Sequence, residues 1–432
     1  MKLILYKTVH HFFPGLLSFL RTLPEPRRKN AITYSLPTQF WVGVFLFLLK
    51  LGSRRQIDYA FNTEKFLKNL AVFTEQKLVR MLSNDTLAYF WMRSAETVLR
   101  QVRYWLINQL LRRKCLAKYR LEGYYLIAVD GTGHLVFNRR HCRYCLTKKQ
   151  RGKVIYYHQV LDAKLVTVNG FALSVETEFI ENQPGARRQD CELKAFYRLV
   201  KRLAKNYPQL RICLLLDALY ANERVLDLCE QYNWRCLITC KRGSLPETYQ
   251  EYQSLKKRSL DQTKEFDYKG EHQLCHWVLD LNYKFRDRHY INVLECLAIN
   301  KKTLKKTRYL WLTNMSVSQD NIFYLVNQGG RLRWKTENEG FNMQKNGGYN
   351  LEHTYCHNLV AMKNFYLLMQ IAHIINQLIE KGSLLSVEFK KLLGSIRNIA
   401  HWLLEDLRTS LFEPHEIETA RTQRFQIRFD TS

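Results

Sequence analysis

Apolar positions recur at three-to-four spacing through the first 118 residues. Leu87, Phe90 and Trp91 form one such stripe; Val98, Val102, Trp105 and Leu106 form another. That periodicity predicts helices over 64–82 and 85–111, with Ser83 and Asn84 as a start signal for the second. Residues 37–51 are apolar nearly throughout and predict a buried core helix. The pattern changes at Tyr124. The run YYLIAV over 124–129 is short, β-branched and aromatic, which predicts a buried strand. Runs at 154–161 and 166–180 follow, the latter broken by Asn169-Gly170, a hairpin signal. A helix with one apolar face (Leu193, Phe196, Leu199, Val200, Leu203) is predicted from an Asp190 cap to Asn206. Then come a strand at 211–216, a helix at 222–232 and a strand at 234–240. Three strands joined by short connections, then two joined through helices, predict a mixed five-stranded sheet flanked by helices.

Beyond 244 the chain is more charged, with strand-like runs at 273–281, 290–299 and 308–313 and a helix at 320–328. Long helices are predicted at 359–380 and 388–407, and the tail after Pro414 reads as polar and loose. The expected class is thus α/β. Its units are a helical region 1–118, a sheet domain 119–345 with a β-rich insertion at about 244–306, and a helical region 346–432.

Composition narrows the partner. The 432 residues hold 67 Lys and Arg against 39 Asp and Glu, a formal charge of +28. Half of the excess lies in residues 1–118, with 20 bases against 6 acids. A foldable chain this basic points to a polyanion, and nucleic acid is the first candidate. Arg93, Arg100, Arg103, Arg112, Arg113 and Lys114 decorate the predicted N-terminal helices, either as a DNA-docking face or as a solvated one. The longest apolar run, 40–49, is too short for a membrane span, which takes about 20 residues. No signal peptide is evident. Eleven cysteines spread along the chain, several within apolar runs, fit reduced thiols and a cytoplasmic location.

Two carboxylates stand at the ends of apolar runs: Asp130 in AVDGTG and Asp217 in LLLDALYAN. Open sheets place ligands at such strand ends, and two buried acids side by side call for a cation. A third acid is expected in RLRWKTENEGFNMQK, where Glu337 and Glu339 sit among bases.

These three motifs in this order resemble the DDE transposases of bacterial insertion sequences, in the branch with a strand-rich insertion before the third acid. Arg333, Trp334 and Glu337 match that branch's Arg-Trp-x-x-Glu spacing and favour Glu337 over Glu339. The chain departs from the pattern at Gly330, where the family often has Tyr, and at Gln344, where it has Lys; Lys345 is one place later. The resemblance spans roughly 120–375. It implies an RNase H-like core in which Asp130, Asp217 and Glu337 hold two Mg²⁺ ions (Mn²⁺ substituting) and cut and join DNA. It implies double-stranded DNA as partner, a homodimer when assembled on it, and DNA contacts from Arg333, Lys335, Lys345 and His353. Two other readings are a nuclease or resolvase without strand transfer, and a domesticated, non-catalytic DNA-binding protein.

One further motif stands outside the acids. Cys142 and Cys145 form a C-x-x-C in the basic loop after the first strand, half of a structural zinc site by spacing, with His134, His141 and His158 nearby. Its alternative is two half-buried thiols in a loop that touches DNA phosphates.

Overall fold

The computed structural model describes residues 1–258, 261–284, 289–423 and 425–429. Ten strands form one mixed sheet: β1 (Tyr125–Phe137), β2 (Leu146–Gln150), β3 (Lys153–Val166), β4 (Ala172–Ile180), β5 (Ile212–Leu216), β6 (Arg235–Thr239), β7 (Thr263–Tyr268), β8 (Glu271–Lys284), β9 (His289–Asn300) and β10 (Lys306–Thr313). Their order is β2-β3-β1-β5-β6-β10-β9-β8-β7, and β4 also pairs with β3. The chain is therefore α/β, as its alternation of elements predicted.

The predicted five strands lie together as β4-β3-β1-β5-β6. The pairings β4–β3 and β3–β1 are antiparallel, and β1–β5 and β5–β6 are parallel. Helices Glu192–Asn206 and Glu223–Gln231 make the crossovers that parallel neighbours need. The β-rich segment does not stand apart. Its strand β9 pairs antiparallel with β10, which pairs antiparallel with β6, so the insertion extends the same sheet. It also opens with a helix, Pro246–Lys256, whose Tyr252 is buried and donates to Glu295 of β9.

Two strands run longer than their apolar cores. β1 continues through Asp130 to Phe137, so Asp130 stands within a strand rather than at its end. What ends near it is the pairing with β5, which covers only Tyr125 to Ala128. β3 is similarly extended, and β2 and β4 share the edge of β3 that faces away from β1.

Several predicted helices are interrupted. The one at 85–111 is two, Asn84–Arg93 and Glu96–Arg112, separated by Ser94 and Ala95 in extended conformation. The one at 64–82 stops at Thr74, where Glu75 turns left-handed. The one at 388–407 is split at Gly394 into Val387–Leu393 and Ile396–Thr409. Periodicity alone misses such breaks, because the apolar stripe resumes in phase beyond them. The tail read as loose is instead helical over Pro414–Thr422, started by a Glu413/Glu416 capping box. Asp190 is not a cap: it accepts from the Glu181 amide and pairs with Arg198.

Helices from both ends of the chain pack together. Leu36–Leu48 is buried along its whole length and lies against Leu359–Lys381. Asn364 donates to the Trp91 and Ser94 carbonyls, and the amino terminus pairs with Asp406 at 2.8 Å. This layer is joined to the sheet by polar contacts. Arg103, fully buried on Glu96–Arg112, pairs with Glu176 of β4 at 3.0 Å, and Arg100 joins it at 2.8 Å. Neither arginine belongs to a DNA-facing surface. Arg93, Arg112, Arg113 and Lys114 remain exposed. Among the described residues, no helix is long and apolar enough to cross a membrane.

Candidate active site and metal-ligand cluster

The register of the parallel pair explains how two acids 87 residues apart meet. Ala128 is level with Leu215, so two residues on, Asp130 is level with Asp217 on the neighbouring chain segment. Adjacent strands lie about 4.8 Å apart. Asp217 ends β5 and turns the chain, its carboxylate accepting from the Leu219 amide at 2.8 Å. Asp130 accepts from the Gly131 amide at 3.0 Å and from Arg333 Nη1 at 3.2 Å.

Glu337 comes from a different kind of element. Residues Thr336–Asn342 form a π-helical stretch, a rare geometry that re-aims side chains and concentrates at functional sites. Glu337 lies close enough to Asp130 for its charge to help raise that carboxyl's pKa. Glu339 does not face that way. It pairs with Lys335 at 2.9 Å and lies beside the Gly170 turn that follows β3. Two residues on such a helix point to opposite sides, and only Glu337 joins the acids.

A fourth acid, Glu192, was not legible in the sequence. It opens the helix after β4. Tyr220 donates to its Oε1 at 2.8 Å and Gln159 to its Oε2 at 3.2 Å. A Cβ on Gly131 would lie 2.4 Å from Oε2, so glycine follows Asp130 because the Glu192 carboxylate occupies that space. The only sequence signal was this glycine, which had no turn to explain it.

Electrostatics tie the cluster together. Burial pushes the Asp130 carboxyl above the ordinary range; Arg333 and the Gly131 amide oppose this, and the charges of Asp217 and Glu337 add to it. Burial likewise raises Glu192, with Tyr220 opposing and Asp130 and Asp217 adding. Acids this close with one arginine among them form a site that favours a cation.

The remaining expected contacts have mixed fates. Arg333 stacks on the half-exposed Trp334 and is engaged with Asp130 rather than pointing to solvent. Lys335 is held by Glu339, and Lys345 lies 3.5 Å from Glu352. His353 is on the surface, with its ring edge-on to Tyr355. The two departures from the family pattern have structural reasons. Gly330 packs flat on Trp311, where a Cβ would come within 2.4 Å of the ring. Gln344 is buried and bonds to Gln370 and His373, so it serves the core. Beside Asp217 opens a cleft of about 650 Å³ lined by Lys241, Arg242, Arg308, Arg333 and Trp334.

A second cluster lies farther along β1 and β3. His141, Cys142, Cys145 and His158 bring four ligand atoms within 4.8 Å of one another and can hold a metal such as zinc. The C-x-x-C half was visible in the sequence, and β3 supplies His158. His134 is not part of it; its ring is buried against Tyr366. The cysteines of the described residues are all free thiols.

No protein-family model matches the chain, and no curated protein matches it in sequence.

Proposed function

We propose that this protein is a DDE-type DNA transposase with an RNase H-like core. It would cleave the ends of an insertion sequence and join them to target DNA. The observation that carries this reading is the meeting of Asp130 and Asp217, level on adjacent parallel strands, with Glu337 from the π-helical stretch and one arginine among them. The antiparallel-then-parallel order β4-β3-β1-β5-β6 supports the RNase H-like class, as does the resemblance of the three motifs.

Asp130, Asp217 and Glu337 would hold the divalent cations, Mg²⁺ or Mn²⁺. When bound, these supply charge stabilisation to the attacking and leaving oxygens of an in-line displacement. The chain's own part is positioning. Arg333 neutralises the carboxylates and lies where a scissile phosphate would approach; the cleft with Lys241, Arg242 and Trp334 lies beside Asp217 for the flanking strand. Glu192, held by Tyr220 and Gln159, keeps negative charge behind Asp130. Lys335, Lys345 and His353 would contact DNA farther from the acids, Lys335 and Lys345 by exchanging their pairings with Glu339 and Glu352 for phosphates. The partner is double-stranded DNA, two copies of the chain pairing two element ends, in the bacterial cytoplasm on the nucleoid.

The test is incubation of the full chain with duplexes carrying its element's flanking ends, in Mg²⁺, with Asp130→Asn as control. Strand cleavage followed by joining to a second duplex is the expected result. Hydrolysis without joining would favour a nuclease, and binding with no cleavage a non-catalytic DNA-binding protein.

A further inference from the structure

We propose that the chain carries one zinc ion in a Cys₂His₂ site made by His141, Cys142, Cys145 and His158. We further propose that this ion holds the β2–β3 hairpin as a contact for DNA phosphates. The metal half stands on geometry alone; the DNA half rests on the reading above.

Zinc bonds of about 2.3 Å to sulfur and 2.0–2.1 Å to nitrogen give tetrahedral edges of about 3.8 Å between two sulfurs and 3.6 Å between sulfur and nitrogen. The Cys142 and Cys145 sulfurs are 3.5 Å apart, and each lies 3.5 Å from His158 Nε2. A disulfide would need about 2.05 Å. His141 closes the set. Its Nδ1 is buried and has no hydrogen-bond partner, while its Nε2 lies 3.2 Å from His357 Nδ1. A ligating imidazole whose other nitrogen is held by a neighbour is the usual arrangement around protein-bound zinc. Two thiolates and two imidazoles in a closed tetrahedron select zinc over the oxygen-seeking cations of the acidic cluster.

The ion would crosslink the irregular loop after β1 to His158 in β3. The hairpin needs such a link. β2 is five residues long, and all but Leu146 are exposed. A two-stranded ribbon of this size is marginal alone. Its charged residues are all basic. Residues 131–161 contain no Asp or Glu. Arg139, Arg140 and Arg143 in the loop and Lys148, Lys149 and Lys153 on the ribbon are all exposed. His158 lies four residues along β3 from Asp162, the partner of Asp130. At about 3.3 Å per residue that sets the zinc about 13 Å from the acids, within the reach of one bound duplex.

The experiment uses the full chain as purified. Its metal content is measured by inductively coupled plasma mass spectrometry, and its absorption after exchange into Co²⁺. Affinity for a duplex of arbitrary sequence is measured by anisotropy across a salt series. One zinc per chain is expected, with the thiolate charge-transfer and intense visible bands of tetrahedral Co²⁺. Cys142→Ser should lose both. The double variant Lys148→Glu, Lys149→Glu should keep zinc and spectrum. Both variants should weaken DNA binding about tenfold or more, the double variant flattening the log–log salt slope by about 2. Substoichiometric zinc together with a Co²⁺ spectrum lacking thiolate bands overturns the metal site. Zinc bound, with DNA affinity unmoved in the charge-reversed hairpin, overturns the hairpin's role. An unaltered chain that binds zinc but no DNA sinks the transposase reading and leaves the metal site standing. If Cys142→Ser does not fold, the Co²⁺ spectrum of the unaltered chain and the double variant decide both halves.

Discussion

Among the acids, position and environment separate those that gather beside Asp130 from one that does not. Asp130, Asp217 and Glu337 converge, whereas Glu339 is spent on Lys335. In steady-state cleavage assays, Asp130→Asn or Glu337→Gln should lower the rate by about 10³-fold or more while DNA binding persists, as expected when a group that stabilises developing charge is lost. Glu339→Gln should stay within a few-fold of the unaltered chain; a loss equal to that of Glu337→Gln would reassign the third acid. Glu192 allows a test that does not depend on catalysis. Its pKa in the folded chain is raised, mainly by burial. The folded state then binds the proton more tightly than the unfolded one, so the carboxyl costs stability as pH rises above its ordinary pKa and costs nothing below it. Glu192→Gln, which keeps an acceptor for Tyr220, should raise the thermal midpoint at pH 8 and have little effect near pH 4. A gap that is the same at both pH values would remove the electrostatic account.

Elements joined edge to edge account for the rest of the site. The π-helical stretch that carries Glu337 lies on β3, where Lys164 packs under Gly340 and over Phe341. Lys164 in turn pairs with Asp162, which accepts from Ser174 and Thr177, the neighbours of Glu176 and Arg103. Burial alone would raise the Glu176 carboxyl, but Arg103, Arg100 and Arg202 outweigh it and hold it below the ordinary range. Its contribution is therefore present at neutral pH and lost as pH falls through the folded pKa. Arg103→Met leaves the Glu176 charge buried and should cost about 3–5 kcal/mol in urea denaturation, with acid unfolding moved to higher pH. An effect below about 1 kcal/mol would show that Arg100 and Arg202 suffice. At the other edge, Gly330→Ala drives a methyl into Trp311 and should cost about 1–3 kcal/mol through overpacking.

The charge of +28 belongs to the whole molecule, and the fold divides it. Part is internal: Arg100 and Arg103, both in the basic N-terminal region, turn inward and knit the helical layer to the sheet. Part is outward, on the β2–β3 hairpin and in the cleft beside Asp217. The proposed function then requires DNA affinity that falls linearly on a log–log salt plot, by about 0.9 per phosphate neutralised. Lys241→Ala with Arg242→Ala should reduce that slope by about 2, and an unchanged slope would place the DNA elsewhere.

The local signals in the sequence determined much of this. Alternation and short apolar runs located the central strands, because burying one or both faces of a strand leaves a pattern in neighbouring residues. Asp130 and Asp217 were visible at the ends of such runs and the C-x-x-C pair by its spacing, whereas Glu337 was set apart from Glu339 only by the resemblance of its Arg-Trp-x-x-Glu segment. What needed tertiary structure was every relation across a long separation. Glu192 is an ordinary first-turn acid until β1 brings Gly131 against it, and His158 is an ordinary strand residue until the loop folds Cys142 onto it. The union of the insertion with the main sheet was likewise out of reach, since β6 and β10 pair across more than sixty residues and strand edges carry no partner label. Sequence records what a residue needs from its neighbours along the chain; which distant group satisfies a buried charge or an open edge is decided only when the chain closes on itself.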